Sequence, residues 1–269
     1  MALSLMSSDN LIEVKEYLEE QYHRYCTSSF IDDDPIQIPH LFDSPQNIEI
    51  AGFFAATFAW GQRKTIISKS KELIARMDNN PHEFICSFTE GDLKSLVGFR
   101  HRTFGDKDAV SFVRALSAIY RNHPSMDLFL GSRGVSNPVD AIRAIRSCFL
   151  ETEGVYSTSM RHVANPDAGS AAKRLNMFFR WMVRSCRENV DFGLWQSLQP
   201  KDLLIPLDLH VGNVSRELGL LQRRQNDFKA VQELTEVLRT FDPLDPIRYD
   251  FALFSIGVSG GIASGEQEI

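Results

Sequence analysis

Residues 203–221 read LLIPLDLHVGNVSRELGLL, and the assignment of the fold starts from them. Leu203, Leu204, Ile205 and Pro206 form an apolar approach to a single carboxylate, Asp208. Asp208 sits where an N-cap belongs, and Val211, Val214 and Leu218 follow at i+3, i+6 and i+10 on one helical face. Gly219 is a natural stop just past the helix, and Leu220–Leu221 supply the apolar contact that accompanies such a stop. A capping Asp is ordinary by itself. One delivered by an apolar run beside His210, downstream of a basic helix, also suits a carboxylate placed for chemistry.

The basic helix is Ser170–Arg187. Ala171, Leu175, Phe178, Phe179 and Met182 make its buried stripe, while Lys173, Asn176, Arg180, Arg184 and Arg187 recur at steps of three and four on one polar face. Cations aligned in this way repel one another unless something anionic lies against them. Two partners fit: the phosphates of DNA, or acidic groups of this chain, with the acidic N-terminal helix (Glu16, Glu19, Glu20) the obvious choice. With phosphates as partner, affinity for duplex DNA falls steeply with salt, and Arg180→Ala plus Arg184→Ala flattens the slope.

A chain of 269 residues suffices for one large domain or two intimate lobes. With 43% hydrophobic and 24% charged residues it has an ordinary globular composition. There is no apolar run of membrane-spanning length, and the start (MALSLMSSDN) does not read as a secretory leader. Cys26, Cys86, Cys148 and Cys186 are scattered with no CxxC, so they predict neither a zinc site nor a disulfide framework. A reduced, cytoplasmic protein is expected. The net charge of −6 at first argues against nucleic acid, but ten acids against two bases in residues 1–50 leave the rest with an excess of +2. Local charge, not the total, decides phosphate binding.

Taken in order, the chain reads as helical. Asp9 can cap a helix with Leu11, Val14, Leu18, Tyr22 and Cys26 on one face. The segment IDDDPIQIPH then reads as a loop with three solvated aspartates, lacking the spacing of a calcium loop. Ser44-Pro45 opens a helix that is apolar almost all round after Ile50, so it belongs at the centre of the fold. Gln62, Arg63 and Lys64 stand where that helix emerges. Gln62 reads as a surface amide in a helix junction. Helices are also expected from Pro81, over 92–98, 109–121 and 139–150. Between them GFRHRTFGDKD interleaves bases with Phe99 and Phe104, and GVYSTSM is a weak strand candidate. Trp195 can stack on a base or anchor the core. Asp227 caps a helix with stripe Val231, Leu234, Leu238 and Phe241, and Asp245-Pro246 opens the last one. There Asp250 can contact substrate or form a salt bridge.

The segment PLDLHVGNVSRELGL resembles the part of helix-hairpin-helix DNA glycosylases in which an Asp precedes a His-Val pair. SAAKRLNMFFRWMVR, DFGLW and FDPLDPIRYDFALFSIG are similar to a bacterial family, domain of unknown function 2400, placed in that superfamily near the archaeal 8-oxoguanine DNA glycosylases. The resemblance spans roughly Ile48 to Gly257 and is strongest from Gly169 onward. It implies a catalytic pair, Lys173 as nucleophile and Asp208 as its carboxylate, facing across a cleft. It also implies a DNA-contacting set: Gln62, which would fill the gap left by an extruded base, with Arg63, Lys64, Arg174, Asn176, Arg180, Arg184, Trp195, His210 and Asp250. The hairpin departs from Leu-Pro-Gly-x-Gly, reading HVANPDAGSAAK, and the tail lacks the cysteines of an iron–sulfur cluster.

The expected architecture is a single all-α domain, 1–269, of two lobes with a cleft between them. Residues 1–50 and 190–269 form one lobe, and 51–189 form the other with a hairpin-like region at 161–187. The expected function is excision of a damaged base, such as an oxidised purine, from duplex DNA, with strand cleavage by a lyase step. Neither a cofactor nor a metal is expected, and the protein is expected to be a monomer acting at the nucleoid. A non-catalytic nucleic-acid-binding protein that kept the fold is the alternative, and an enzyme with another substrate is a third.

Overall fold

A computed structural model describes residues 8–185 and 188–260. Helix makes up 64% and strand 2%, so the fold is all-α. The expected position of Arg187, and the tail from residue 261, lie outside the described residues.

At the centre is α3 (Pro45–Phe58), started by Ser44, whose Oγ accepts from the Asn47 N–H at 3.3 Å. Every residue from Ile48 to Phe58 is buried, as its all-round apolar sequence requires. Helix α9 (Lys173–Val183) crosses it at Gly52, where an added Cβ would lie 3.1 Å from Met182 and 3.4 Å from the Phe178 ring. Around this pair stand α4 (Arg63–Ala75), α5 (Pro81–Ser87), α6 (Asp106–Tyr120), α7 (Met126–Ser132) and α8 (Pro138–Glu151). Asn137 caps α8 through the Asp140 N–H at 3.0 Å. Elsewhere α1 (Ser8–Tyr25), α10 (Leu209–Glu217), α11 (Phe228–Phe241) and α12 (Asp250–Val258) pack on one another and on the 3-10 turn Pro246–Tyr249. Among the described residues no helix is long and apolar enough to cross a membrane.

Several local expectations are corrected. A short helix α2 (Phe30–Asp33) and the turns Pro35–Gln37 and Pro39–Leu41 replace the acidic loop; both turns pack on α3, placing residues 35–41 with the central helices. GVYSTSM forms no strand, and Ser157–His162 is a 3-10 turn. The described strands are β1 (Arg100–His101) and β2 (Phe104–Gly105), an antiparallel pair that turns at Arg102. Phe99 and Phe104 anchor it in the core. Helix α9 starts at Lys173, three residues later than expected, because Ala172 takes a left-handed conformation with φ 50°.

The face of α9 that reads as basic is turned inward. Arg180 is 4% and Arg184 1% exposed. Arg180 pairs with Asp250 and lies 3.3 Å from Asp191; Arg184 pairs with Asp191 at 2.5 Å and Asp245 at 2.8 Å. The carboxylates of this chain are therefore the anionic partner, but they come from residues 191, 245 and 250. The N-terminal acid Glu19 instead meets Arg248 at 3.2 Å and the Tyr249 hydroxyl at 2.6 Å. Two guanidiniums this deep cannot contact a duplex, so Arg180 and Arg184 are withdrawn from the phosphate-binding set.

Removing one member of such a chain strands a buried charge. Arg184→Ala leaves Asp191 short of a counterion, and urea unfolding is expected to show a loss of about 3–5 kcal/mol. A loss under about 1 kcal/mol would mean that the network contributes little to the fold.

Candidate functional site

Asp208 and Lys173 reach the same cavity from opposite directions. The run Leu203–Leu207 is buried, with the Ile205 N–H donating to Thr235 Oγ1 at 3.1 Å, and it sets Asp208 at the start of α10. One carboxylate oxygen, Oδ1, caps the helix by accepting from the Val211 N–H at 3.0 Å. The other, Oδ2, faces Lys173 Nζ at 3.8 Å. Asn226 steadies the cap from outside, its amide donating to the Asp208 carbonyl at 2.9 Å. The helix closes at Gly219, φ 73°, where Leu220 donates back to Ser215 at 2.8 Å. Lys173 opens α9, and its ammonium also lies 3.5 Å from the Ala59 carbonyl at the end of α3.

The cavity holds about 780 Å³, within the range of sites that take a small organic ligand. Phe30, Trp60 and Phe254 give it aromatic walls. Arg102 stacks on Trp60 at 4.7 Å, and Arg63 on Phe254 at 5.0 Å. Its charge is mixed, not uniformly positive: Arg63, Lys173, Arg174 and Arg180 stand with Asp34, Asp208 and Asp250. Burial pushes the Asp250 carboxyl up to about 6, and nearby Asp208 adds to the rise against the pull of Arg180. Burial likewise raises Asp34, although the Ile36 N–H and then Arg180, Arg63 and Lys173 act against it.

Of the residues expected here, Gln62, Arg63, Lys173, Arg174, Arg180, Asp208, His210 and Asp250 line the cavity. Gln62 is exposed at its rim, and His210 Nδ1 is 3.1 Å from the Gly257 carbonyl. Lys64 is exposed beside Arg63 but lies outside the cavity wall. Arg174 holds the Thr57 and His162 carbonyls at 2.8 and 3.3 Å, tying α9 to α3. Two expectations are overturned by burial. Asn176 is inside the protein, its amide donating to the Ala171 carbonyl at 3.2 Å. Trp195 is a core anchor, edge-on to Phe178 and donating to Glu49 at 2.6 Å. Asp250 forms the salt bridge, to Arg180, and also lines the cavity.

Asp34 was missed. Its two neighbours Asp32 and Asp33 are exposed, but Asp34 is buried and caps the turn at Pro35, accepting from the Ile36 N–H at 3.0 Å. The signal was Asp34-Pro35 itself, the same cap-then-proline pair as Ser44-Pro45.

Asp250 makes stability depend on pH in a definite direction. Its folded pKa lies above the ordinary 3.8, so between about 4 and 6 the folded protein binds more protons than the unfolded chain. Stability contributed by this group is full below about 4 and is lost as pH rises through about 6. Urea unfolding across that window is expected to show the fall in wild type but not in Asp250→Asn. Parallel curves for the two proteins would refute it.

A family model described as "Protein of unknown function (DUF2400)" matches residues 34–259. No curated protein and no solved structure matches the chain. The match takes in Asp34, Lys173, Asp208 and Asp250 together, and the chain belongs to this family of proteins of unknown function, DUF2400.

Proposed function

We propose that this protein is a DNA base-excision glycosylase with lyase activity, built as a two-lobed helix-hairpin-helix fold whose cleft is the cavity between α9 and α10. The observation that carries the reading is Lys173 Nζ at 3.8 Å from Asp208 Oδ2 inside a cavity with aromatic walls. The packing of α12 on both α1 and α10 supports the two-lobed arrangement.

The chemistry follows from the residue types. When a base leaves its sugar, positive charge builds on the anomeric carbon, and a carboxylate beside it stabilises that charge. The Lys173 amine attacks the same carbon once its proton has passed to a base, and Asp208 is the nearest carboxylate. The C–N bond to the base breaks and the base leaves with its electron pair. The ring C–O bond at that carbon then opens to give an imine, which makes the neighbouring C–H acidic, and elimination breaks the strand. Trp60 and Phe254 offer an extruded base rings to stack on in the cavity wall, and Arg102 and Arg63 already lie over these rings. Extrusion itself costs a few kcal/mol, least at a damaged pair.

The decisive experiment is trapping with borohydride on lesion-containing duplexes, using oxidised, deaminated and alkylated bases. A covalent protein–DNA adduct is expected, and Lys173→Gln should abolish it while leaving duplex binding nearly intact. Asp208→Asn should slow base release by on the order of a hundredfold with binding unchanged or tighter. Base release without an adduct would make water the nucleophile. No release and no adduct on any of these duplexes would sink the glycosylase reading.

A further inference from the structure

A second cavity lies on the other side of the first turn of α9. It holds about 570 Å³ between α3, α8 and residues 160–175, and Lys173 and Arg174 stand in the walls of both cavities. Its charge is of one sign. Arg146, Arg161, Lys173 and Arg174 line it with no Asp or Glu among the lining residues.

Two of these cations are balanced elsewhere: Arg161 meets Asp108 at 3.2 Å, and Lys173 meets Asp208. Arg146 and Arg174 have no carboxylate partner among the described residues. Their guanidiniums hold main-chain carbonyls instead, Arg146 that of Val163 at 2.8 Å and Arg174 that of Thr57 at 2.8 Å. Burial lowers the Arg174 pKa with no offsetting acid. The amino end of α9 adds to this wall, since no side chain caps it and its first turn contains no acid. Half-buried cations without counterions leave a positive cavity that an anion would complete. Guanidinium groups match phosphate oxygens in particular.

The shared lysine indicates which phosphate. A sugar joined to Lys173 in the first cavity has its own phosphate groups within reach of the second. We propose that the second cavity binds the terminal phosphomonoester of a strand end, the group set free when the imine on Lys173 eliminates. This rests on the reading of Lys173 as an imine-forming amine. In that step a base removes the proton from the carbon next to the imine carbon. The C–O bond to the phosphate then breaks, and its electron pair stays on the phosphate oxygen. A phosphodiester with one negative charge becomes a monoester approaching two. Cations already in place and unpaired favour that product and the charge developing toward it.

The test measures binding at fixed salt by fluorescence anisotropy, with no turnover. The probes are a gapped duplex ending in a 5′-phosphate, the same duplex ending in a 5′-hydroxyl, and an intact duplex. Wild type should prefer the phosphorylated end by about tenfold. Ala168→Glu places a carboxylate at the exposed rim of the cavity; it should remove the preference while leaving affinity for the hydroxyl end and the unfolding midpoint unchanged. Arg146→Gln should act alike, and Arg146→Lys should retain part of the preference. Equal wild-type affinity for both ends overturns the proposal. So does an Ala168→Glu loss that is equal for the intact duplex, which would give the cavity to an internal phosphodiester. A borohydride adduct without end preference removes this proposal alone, whereas failure to bind any of the three duplexes removes the nucleic-acid reading with it.

Discussion

The structure depends on a buried chain of alternating charge, Asp250–Arg180–Asp191–Arg184–Asp245. Two cations meet three carboxylates, so the chain has one negative charge too many when every acid is ionised. At the cavity end stands Asp250, whose pKa burial pushes up to about 6. The same contacts hold α9 against the start of α12. An apolar contact would hold these helices too, but it tolerates sliding. The Arg184–Asp245 pair does not, because the guanidinium donates to the carboxylate through both Nε and Nη2. The position of Lys173, one end of α9, is therefore set by what its other end binds.

The close contact of α3 with α9 fixes the remaining direction. An added Cβ at Gly52 would crowd the Met182 methyl at 3.1 Å and the Phe178 ring at 3.4 Å, so the glycine lets α9 lie close on α3. Arg174 then joins the first turn of α9 to the last turn of α3 through the Thr57 carbonyl. Lys173 is thus braced by packing, by a hydrogen bond and by buried ion pairs. Such bracing is what a catalytic or binding group requires if its geometry is to survive thermal motion.

Much of this was legible in the sequence where the signal is local. Ser44, Asp208 and Asp227 each cap the helix that follows them, because capping joins residues three apart. The all-round apolar run of α3 and the stripe of α11 are buried as their sequences require. The juxtaposition of Lys173 with Asp208 came from resemblance, since nothing local links residues so far apart. The burial of Arg180 and Arg184 was not legible. A row of cations on one helical face looks the same whether phosphates, water or this chain's acids meet it, and Asp245 and Asp250 are some 60 to 70 residues away. Asp34 was hidden by its exposed neighbours, and the left-handed turn at Ala172 by an alanine that carries no sign of it.

Asp208 has one oxygen on its own helix and the other on Lys173. The start of α10 and the charge state of the cavity are therefore coupled through a single side chain. Whenever the first turn of α10 frays, the carboxylate is released from its fixed orientation and the lysine loses a defined counterion. Local opening of helix ends is the least costly motion a folded protein has. Residues that hold α10 closed from outside the cavity, Asn226 at its first turn and Gly219–Leu220 at its last, accordingly govern how long the pair stays assembled. Their contribution would register as the lifetime of the aligned state, not as a contact with any ligand.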